Sequence, residues 1–133
     1  MRAFIIISHG DLAAGLKMSV EMVVGARDDL FSLGLSPEGG PESLQQDLET
    51  LLSNLDEYEE VFVFTDLFGG SPGNTAFMRL AADPKYHIIS GVNFPMVLTA
   101  VLTPDIDVDT LLNEAKNGII DLKAALAEMD DDE

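Results

Sequence analysis

Apolar residues in this sequence alternate between two spacings, and this alternation constrains the fold more than any other feature. Residues 3–7 and 61–64 are continuous apolar runs rich in Ile, Val and Phe, which is typical of strands buried on both faces. The segments between such runs repeat Leu and Val at the spacing of one helix face. We predict strands at 3–7, 30–35, 61–65 and 86–90, and helices at 11–25, 42–55, 74–82, 95–102 and 105–116.

This order of strands and helices predicts an α/β fold with a doubly wound, mostly parallel sheet and helices on both faces. Right-handed crossovers favour the strand order 2-1-3-4, which makes strands 1 and 3 neighbours at the topological switch point. Ligands of such sheets bind outside the carboxyl ends of the strands. The pattern of residues 119–126 fits a strand or a helix.

Composition narrows the classes of function. The chain has 133 residues, 24 acidic against 7 basic side chains, a formal net charge of −17 and no cysteine. We expect one domain over residues 1–129, followed by an acidic tail at 130–133. The negative charge disfavours nucleic acids and anionic membrane surfaces, and cysteine chemistry is excluded. Because the sequence shows no secretion signal and no membrane span, we expect a cytoplasmic protein.

Two polar residues follow the neighbouring strands 1 and 3. His9 lies in the loop after the first strand, and Asp66 follows the third. Adjacent strands lie about 5 Å apart, so the two side chains are within reach of a hydrogen bond. His87, the second histidine of the chain, lies near the start of strand 4 and is therefore expected at the opposite edge.

The loop after Asp66 is rich in glycine and has the features of an anion site. Pro72 suits the first turn of a helix, and Ser71 before it is the expected N-cap. The free N–H groups of a helix start bind anions, and Gly69 and Gly70 let the backbone approach a ligand closely. A histidine beside an anion site predicts that phosphate moves onto or off that histidine.

The predicted roles follow from this placement. Asp66 would accept a hydrogen bond from one ring N–H of His9, which leaves the other ring nitrogen free to attack phosphorus. Ser71 and the loop N–H groups would hold the phosphoryl oxygens. No nucleotide-binding motif or Mg²⁺-binding carboxylate cluster is present, so we expect no cofactor, no metal and a donor other than ATP on this chain.

Three other classes of protein share parts of this pattern. Residues 69–73 match the G-x-S-x-G elbow of α/β-hydrolases, but the order His, Asp, Ser is wrong for that fold and Pro72 lacks the N–H that the oxyanion hole requires. A receiver domain would need an acidic pair after strand 1, where Asp11 is the only acid. A non-catalytic regulatory module of the same fold stays open, and a phosphorylation assay separates it from a carrier.

Three segments together resemble the EIIA domain of the mannose family of the bacterial phosphoenolpyruvate-dependent sugar phosphotransferase system. Their order and spacing match the family over about residues 1–125. The glycine-rich loop and the G-V-N-x-P-M turn together are a strong signal of the family, whereas the His-Gly pair alone is a weak signal. The segments are Ile5-Ile6-Ile7-Ser8-His9-Gly10, Thr65-Asp66-Leu67-Phe68-Gly69-Gly70-Ser71-Pro72-Gly73-Asn74 and Ser90-Gly91-Val92-Asn93-Phe94-Pro95-Met96.

The resemblance implies that His9 accepts phosphate from phospho-HPr and passes it to a histidine of EIIB, with a functional link to membrane EIIC and EIID. It implies that Asp66 orients His9 and that Ser71 lies near the phosphoryl group. It also implies a homodimer in which residues 119–125 form an antiparallel edge strand on the partner's sheet, a device that covers an open edge. The second choice is the related branch that serves dihydroxyacetone kinase.

Overall fold

A computed structural model describes residues 1–131 of the chain. It divides into two compact units, Met1–Phe94 and a second unit that begins at Pro95. The first unit contains a sheet of four strands in the order β2-β1-β3-β4, and all three pairings are parallel. The predicted strand order is confirmed. The strands are β1 (Arg2–His9), β2 (Leu30–Leu35), β3 (Glu60–Thr65) and β4 (Tyr86–Ser90).

Six helices alternate with or follow these strands in the described residues. Each helix expected from the apolar spacing is present, with ends that differ from the prediction by up to three residues. No helix within residues 1–131 combines the length and apolar character needed to cross a membrane. The helices are α1 (Leu12–Val24), α2 (Gly40–Leu52), α3 (Ser71–Leu80), α4 (Phe94–Leu102), α5 (Val108–Asn117) and α6 (Leu122–Asp131).

The central strands β1 and β3 are buried on both faces, as their continuous apolar runs predict. One set of alternate side chains packs against α2 and α3 and forms a core cluster. Burial of these aliphatic side chains is the main favourable term that holds the two helices on the sheet. The cluster includes Ala3, Ile5, Ile7, Leu44, Leu48, Leu52, Leu55, Val61, Val63, Ala76 and Leu80.

The opposite face of the sheet is aromatic. The ring of Phe62 lies 5.9 Å from that of Phe4 and 6.2 Å from that of Phe64, centroid to centroid. Ser8 shares this face with Phe4, and its hydroxyl binds the backbone of Ala13 in α1. Because side chains alternate between the two faces of a strand, α1 lies on the face opposite α2 and α3. Helices therefore cover both faces.

The second unit is helical. Asp107 caps α5, since its carboxylate accepts a hydrogen bond from the Thr110 N–H at 2.9 Å. Gly118 follows α5 and packs closely on Pro95, because a Cβ built on Gly118 would lie 2.5 Å from the Pro95 Cγ. A side chain at position 118 would therefore disturb the contact between the end of α5 and the start of α4.

The antiparallel edge strand implied for residues 119–125 is not shown. Within residues 1–131 the sheet has four strands, and Leu122–Asp131 is helix α6. Asp121 accepts a hydrogen bond from the Ala124 N–H at 3.3 Å, and the Leu, Lys, Ala and Glu residues that follow are good helix formers. In this chain the residues from Leu122 onward are helical instead.

The predicted boundary between a domain at 1–129 and a tail at 130–133 stays a prediction. Helix α6 continues to Asp131, and residues 132 and 133 of the predicted tail lie outside the described residues.

Candidate functional site

His9 lies at the carboxyl edge of the sheet, where β1 ends. Asp66 directly follows β3, the strand that pairs with β1. The Nδ1 atom of His9 lies 2.8 Å from Asp66 Oδ2, and the backbone N–H of His9 donates to the same oxygen at 2.8 Å. The hydrogen bond expected from the sequence is therefore present, and a second one from the His9 backbone accompanies it.

The environment of Asp66 determines which nitrogen of His9 carries a proton. Burial of Asp66 disfavours its charged form, but hydrogen bonds from the His9 backbone and ring and from the Leu67 N–H outweigh burial and lower the pKa of Asp66. An ionised carboxylate only accepts hydrogen bonds, so Nδ1 of His9 holds the proton. In the neutral ring the lone pair is then on Nε2, and the side chain that carries it is 48% exposed.

Gly70 lies directly beside the His9 ring. A Cβ built on Gly70 would lie 3.0 Å from Cε1 of His9 and 3.7 Å from Nε2. Such a carbon would crowd the ring, so glycine at this position gives the imidazole its space. Gly69 before it has a φ of +82°, a conformation that glycine adopts without strain.

Helix α3 begins beside the same ring. The N-cap is Gly70 and Ser71 is the first helical residue, so the prediction of Ser71 as N-cap is wrong by one position. Gly70 takes the extended conformation that a cap requires, with φ −79° and ψ 163°, and no side chain caps this helix. Asn74 braces the loop, because its Nδ2 donates to the Gly69 carbonyl at 3.2 Å. The open helix start beside Nε2 has the properties of an anion site.

The turn after β4 lies at the same edge. The Val92 N–H donates to the Thr65 carbonyl at 3.0 Å, which joins this turn to the end of β3. Among residues 1–131, no group of three or more His, Cys, Asp or Glu side chains has the arrangement of a metal site.

His87 lies away from this site, as predicted. It aligns with Phe62 of β3, which aligns with Phe4 of β1, five residues before His9. At about 3.3 Å per strand residue this is a separation of roughly 16 Å along the sheet. The Nε2 atom of His87 lies 2.7 Å from Glu60 Oε2, and its ring packs on Phe62. His87 therefore lies outside the candidate site and is held by contacts with Glu60 and Phe62.

An apolar cleft of about 420 Å³ lies on the other side of the glycine-rich loop. Leu67, Phe68 and Phe77 on its wall are exposed, and Phe68 is 94% exposed. Several exposed apolar side chains beside a polar site are typical of a protein-binding surface. The apolar spacing of the sequence does not predict this surface, although a Leu-Phe pair inside a glycine-rich loop is a usable sign of it.

Fold and site together define a doubly wound α/β protein with a histidine–aspartate pair at a helix N-terminus on the carboxyl edge of its sheet. The family model described as "EIIA-man: PTS system fructose IIA component" matches residues 3–117. The chain belongs to this family, the mannose-type EIIA components of the bacterial sugar phosphotransferase system. Its general role is that of a phosphotransferase component in sugar transport.

Individual relatives agree with this assignment. A fructose-specific EIIA component of Bacillus subtilis is 32% identical over 117 residues, which cover 87% of this chain and 80% of the relative. The mannose-specific EIIAB component of Escherichia coli K12 is 30% identical over 79% of this chain, which spans only 32% of that longer protein. The crystal structure of a PTS IIA protein associated with the fucose utilization operon of Streptococcus pneumoniae superposes with a TM-score of 0.88 at 32% identity, covering 94% of this chain and 96% of that one.

Proposed function

We propose that this chain is a phosphoryl carrier that accepts phosphate from phospho-HPr on His9 and passes it to a histidine of EIIB during sugar uptake. One observation carries the proposal. The Nδ1 atom of His9 is engaged by Asp66 at 2.8 Å, so the free nitrogen Nε2 is the one next to Gly70 and the start of α3.

The transfer step is a displacement between two imidazoles. The lone pair of His9 Nε2 attacks the phosphorus of the donor phosphohistidine, a P–N bond forms at Nε2, and the P–N bond of the donor breaks. The donor imidazole leaves with the electron pair of the broken bond. The His9 ring becomes positively charged, and the carboxylate of Asp66 stabilises that charge at Nδ1. Transfer to EIIB is the same reaction with His9 as the donor. A histidine nitrogen of EIIB attacks the phosphorus, and the P–N bond at His9 Nε2 breaks.

The start of α3 supplies the phosphoryl site. Backbone N–H groups at a helix N-terminus favour negative charge, and the helix dipole adds to that preference. Gly69, Gly70 and Ser71 would surround the phosphoryl oxygens, with the Ser71 hydroxyl as a further donor. Fixed donors of this kind stabilise the charge that develops in the transition state. The energy of the reaction is already stored in the donor P–N bond, so the step requires no cofactor or metal.

Protein partners rather than a small substrate fit the surroundings of the site. Two histidines must meet directly for this transfer, and the exposed Leu67 and Phe68 beside Asp66 offer apolar surface that a carrier protein would cover. We place the reaction in the cytoplasm, with HPr as donor, EIIB as acceptor and membrane EIIC and EIID downstream. We also propose a homodimer, supported by the exposed apolar residues Ile119, Ile120 and Leu122 in the C-terminal segment.

The proposal is tested by reconstitution of the relay. The chain is incubated with phosphoenolpyruvate, enzyme I and HPr, and intact-protein mass is followed. We expect one phosphoryl group per chain, lost again when an EIIB of the mannose family is added. If a known EIIA is labelled by the same mixture and this chain is not, the carrier function is wrong.

A further inference from the structure

Ser8 is fully buried although it immediately precedes the exposed side chain of His9. Among the described residues, Ser8 and Thr65 are the two buried polar side chains, and Ser8 has no exposed surface. Its Oγ accepts a hydrogen bond from the Ala13 N–H at 2.7 Å and donates one to the His9 carbonyl at 3.0 Å. A buried hydroxyl with both functions satisfied is a fixed element of the site.

The first of these bonds joins β1 to α1. Ala13 is the second residue of α1, and N–H groups at this position have no acceptor inside the helix. Asp11, the N-cap residue, makes no side-chain capping bond. Ser8 therefore supplies the cap that Asp11 does not.

The second bond fixes the peptide group that follows His9. The carbonyl of this peptide receives the Ser8 hydroxyl, and its N–H, on Gly10, donates to the Leu35 carbonyl in β2 at 2.8 Å. The preceding peptide of His9 is held by Asp66 Oδ2. Both peptide groups that flank the imidazole are thus restrained, in a position from which Nδ1 reaches the same Asp66 oxygen.

We propose that Ser8 is a positioning residue for His9, which holds the backbone so that the ring keeps its hydrogen bond to Asp66 and directs Nε2 outward. The proposal rests on the proposed function of His9 as phosphoryl acceptor. Without the hydroxyl, the peptide after His9 is restrained on one side only, by Leu35. The chain keeps its fold, while the ring gains orientations in which Nδ1 has left Asp66.

The test compares Ser8→Ala with Ser8→Thr and Ser36→Ala. Ser36 is the control, because its hydroxyl accepts the Gly39 N–H at 2.7 Å just before α2 and, within residues 1–131, makes no hydrogen bond to His9. Misplacement of a reacting group by a fraction of an ångström to 1 Å lowers rates by roughly 10- to 100-fold. We expect Ser8→Ala to lower the maximal rate of His9 phosphorylation by that factor with an unchanged KM for phospho-HPr. Ser8→Thr retains the hydroxyl and keeps the wild-type rate.

A spectroscopic measurement separates positioning from helix capping. Nitrogen NMR of the His9 ring reports which nitrogen carries the proton, and it needs no phosphoryl donor. We expect the Nδ1–H form in the wild type and in Ser36→Ala, and a mixture of both forms in Ser8→Ala. If Ser8→Ala keeps the Nδ1–H form and the wild-type rate while its melting temperature falls as in Ser36→Ala, Ser8 is only a helix cap and the proposal is overturned.

Two further outcomes are distinguished. If wild-type chain accepts no phosphate, the proposed function fails, and the ring signal still decides the role of Ser8. If Ser8→Ala does not fold, Ser8→Cys replaces it, because a thiol fills the space with a much weaker hydrogen-bonding group. Mixed protonation of the ring in Ser8→Cys supports the proposal, and a pure Nδ1–H form overturns it.

Discussion

Replacement of His9 by alanine is expected to abolish phosphorylation of this chain by phosphoenolpyruvate, enzyme I and HPr. The nucleophile Nε2 is lost, and the other histidine, His87, is aligned with Phe4, roughly 16 Å away along the sheet. The fold should persist, because the His9 side chain is 48% exposed and contributes little to the core. Mass spectrometry of the intact chain after incubation with the donors measures the effect.

The matched control is His87→Ala, the same substitution at the other histidine of the chain. This variant loses the hydrogen bond to Glu60 and the contact with Phe62, so its melting temperature should fall while its phosphorylation stays at the wild-type level. Equal loss of phosphate in both variants, or phosphate found on Ser71 or Asp66, would contradict the assignment of His9.

Asp66→Asn is expected to slow phosphoryl transfer by about 10- to 100-fold, since a hydrogen bond to a charged group is worth about 1.5–3 kcal/mol. The two oxygens of Asp66 accept three N–H groups, two from His9 and one from Leu67. An amide has only one oxygen, so its NH₂ group would face a donor on one side. If the amide oxygen faces His9, the Nδ1 hydrogen bond loses its charged acceptor. If the NH₂ group faces His9, Nδ1 must accept, and the ring proton moves to Nε2 and removes the attacking lone pair. Rapid-quench kinetics with phospho-HPr measures the rate.

Asp107→Asn serves as its control. Asp107 also accepts a backbone N–H, from Thr110, but asparagine caps a helix as well as aspartate does. We therefore expect wild-type transfer from this variant. A wild-type rate for Asp66→Asn as well would remove the orienting role of Asp66 and leave His9 to act without it.

The sequence was sufficient for most of the fold because its two apolar spacings are unambiguous. The runs at 3–7 and 61–65 are short and rich in Ile, Val and Phe, which favours buried strands, and parallel pairing with right-handed crossovers then favours the observed order. The C-terminal segment was different. Residues 119–126 are compatible with either structure, because so short an apolar pattern does not distinguish the two periods, and the structure shows a helix from Leu122 onward.

The candidate site was predictable in its main pair and not in its supporting contacts. His9 ends β1 and Asp66 follows the neighbouring strand β3, so their contact is a consequence of the sheet topology. The backbone bond from His9 to Asp66 and the approach of Gly70 to the ring depend on angles at the strand ends, which residue types do not determine. Ser8 could have been found, because a polar residue at an inward position of a buried strand requires a partner.

The identity of the phosphorylated nitrogen tests the central claim most directly. Phosphorus and nitrogen NMR of the phosphorylated chain, labelled at histidine, distinguishes a P–N bond at Nε2 from one at Nδ1. We predict phosphate on Nε2 of His9 with the proton kept on Nδ1, because Asp66 Oδ2 lies 2.8 Å from Nδ1 and occupies that side of the ring. Phosphate on Nδ1 of His9, or on His87, would contradict it.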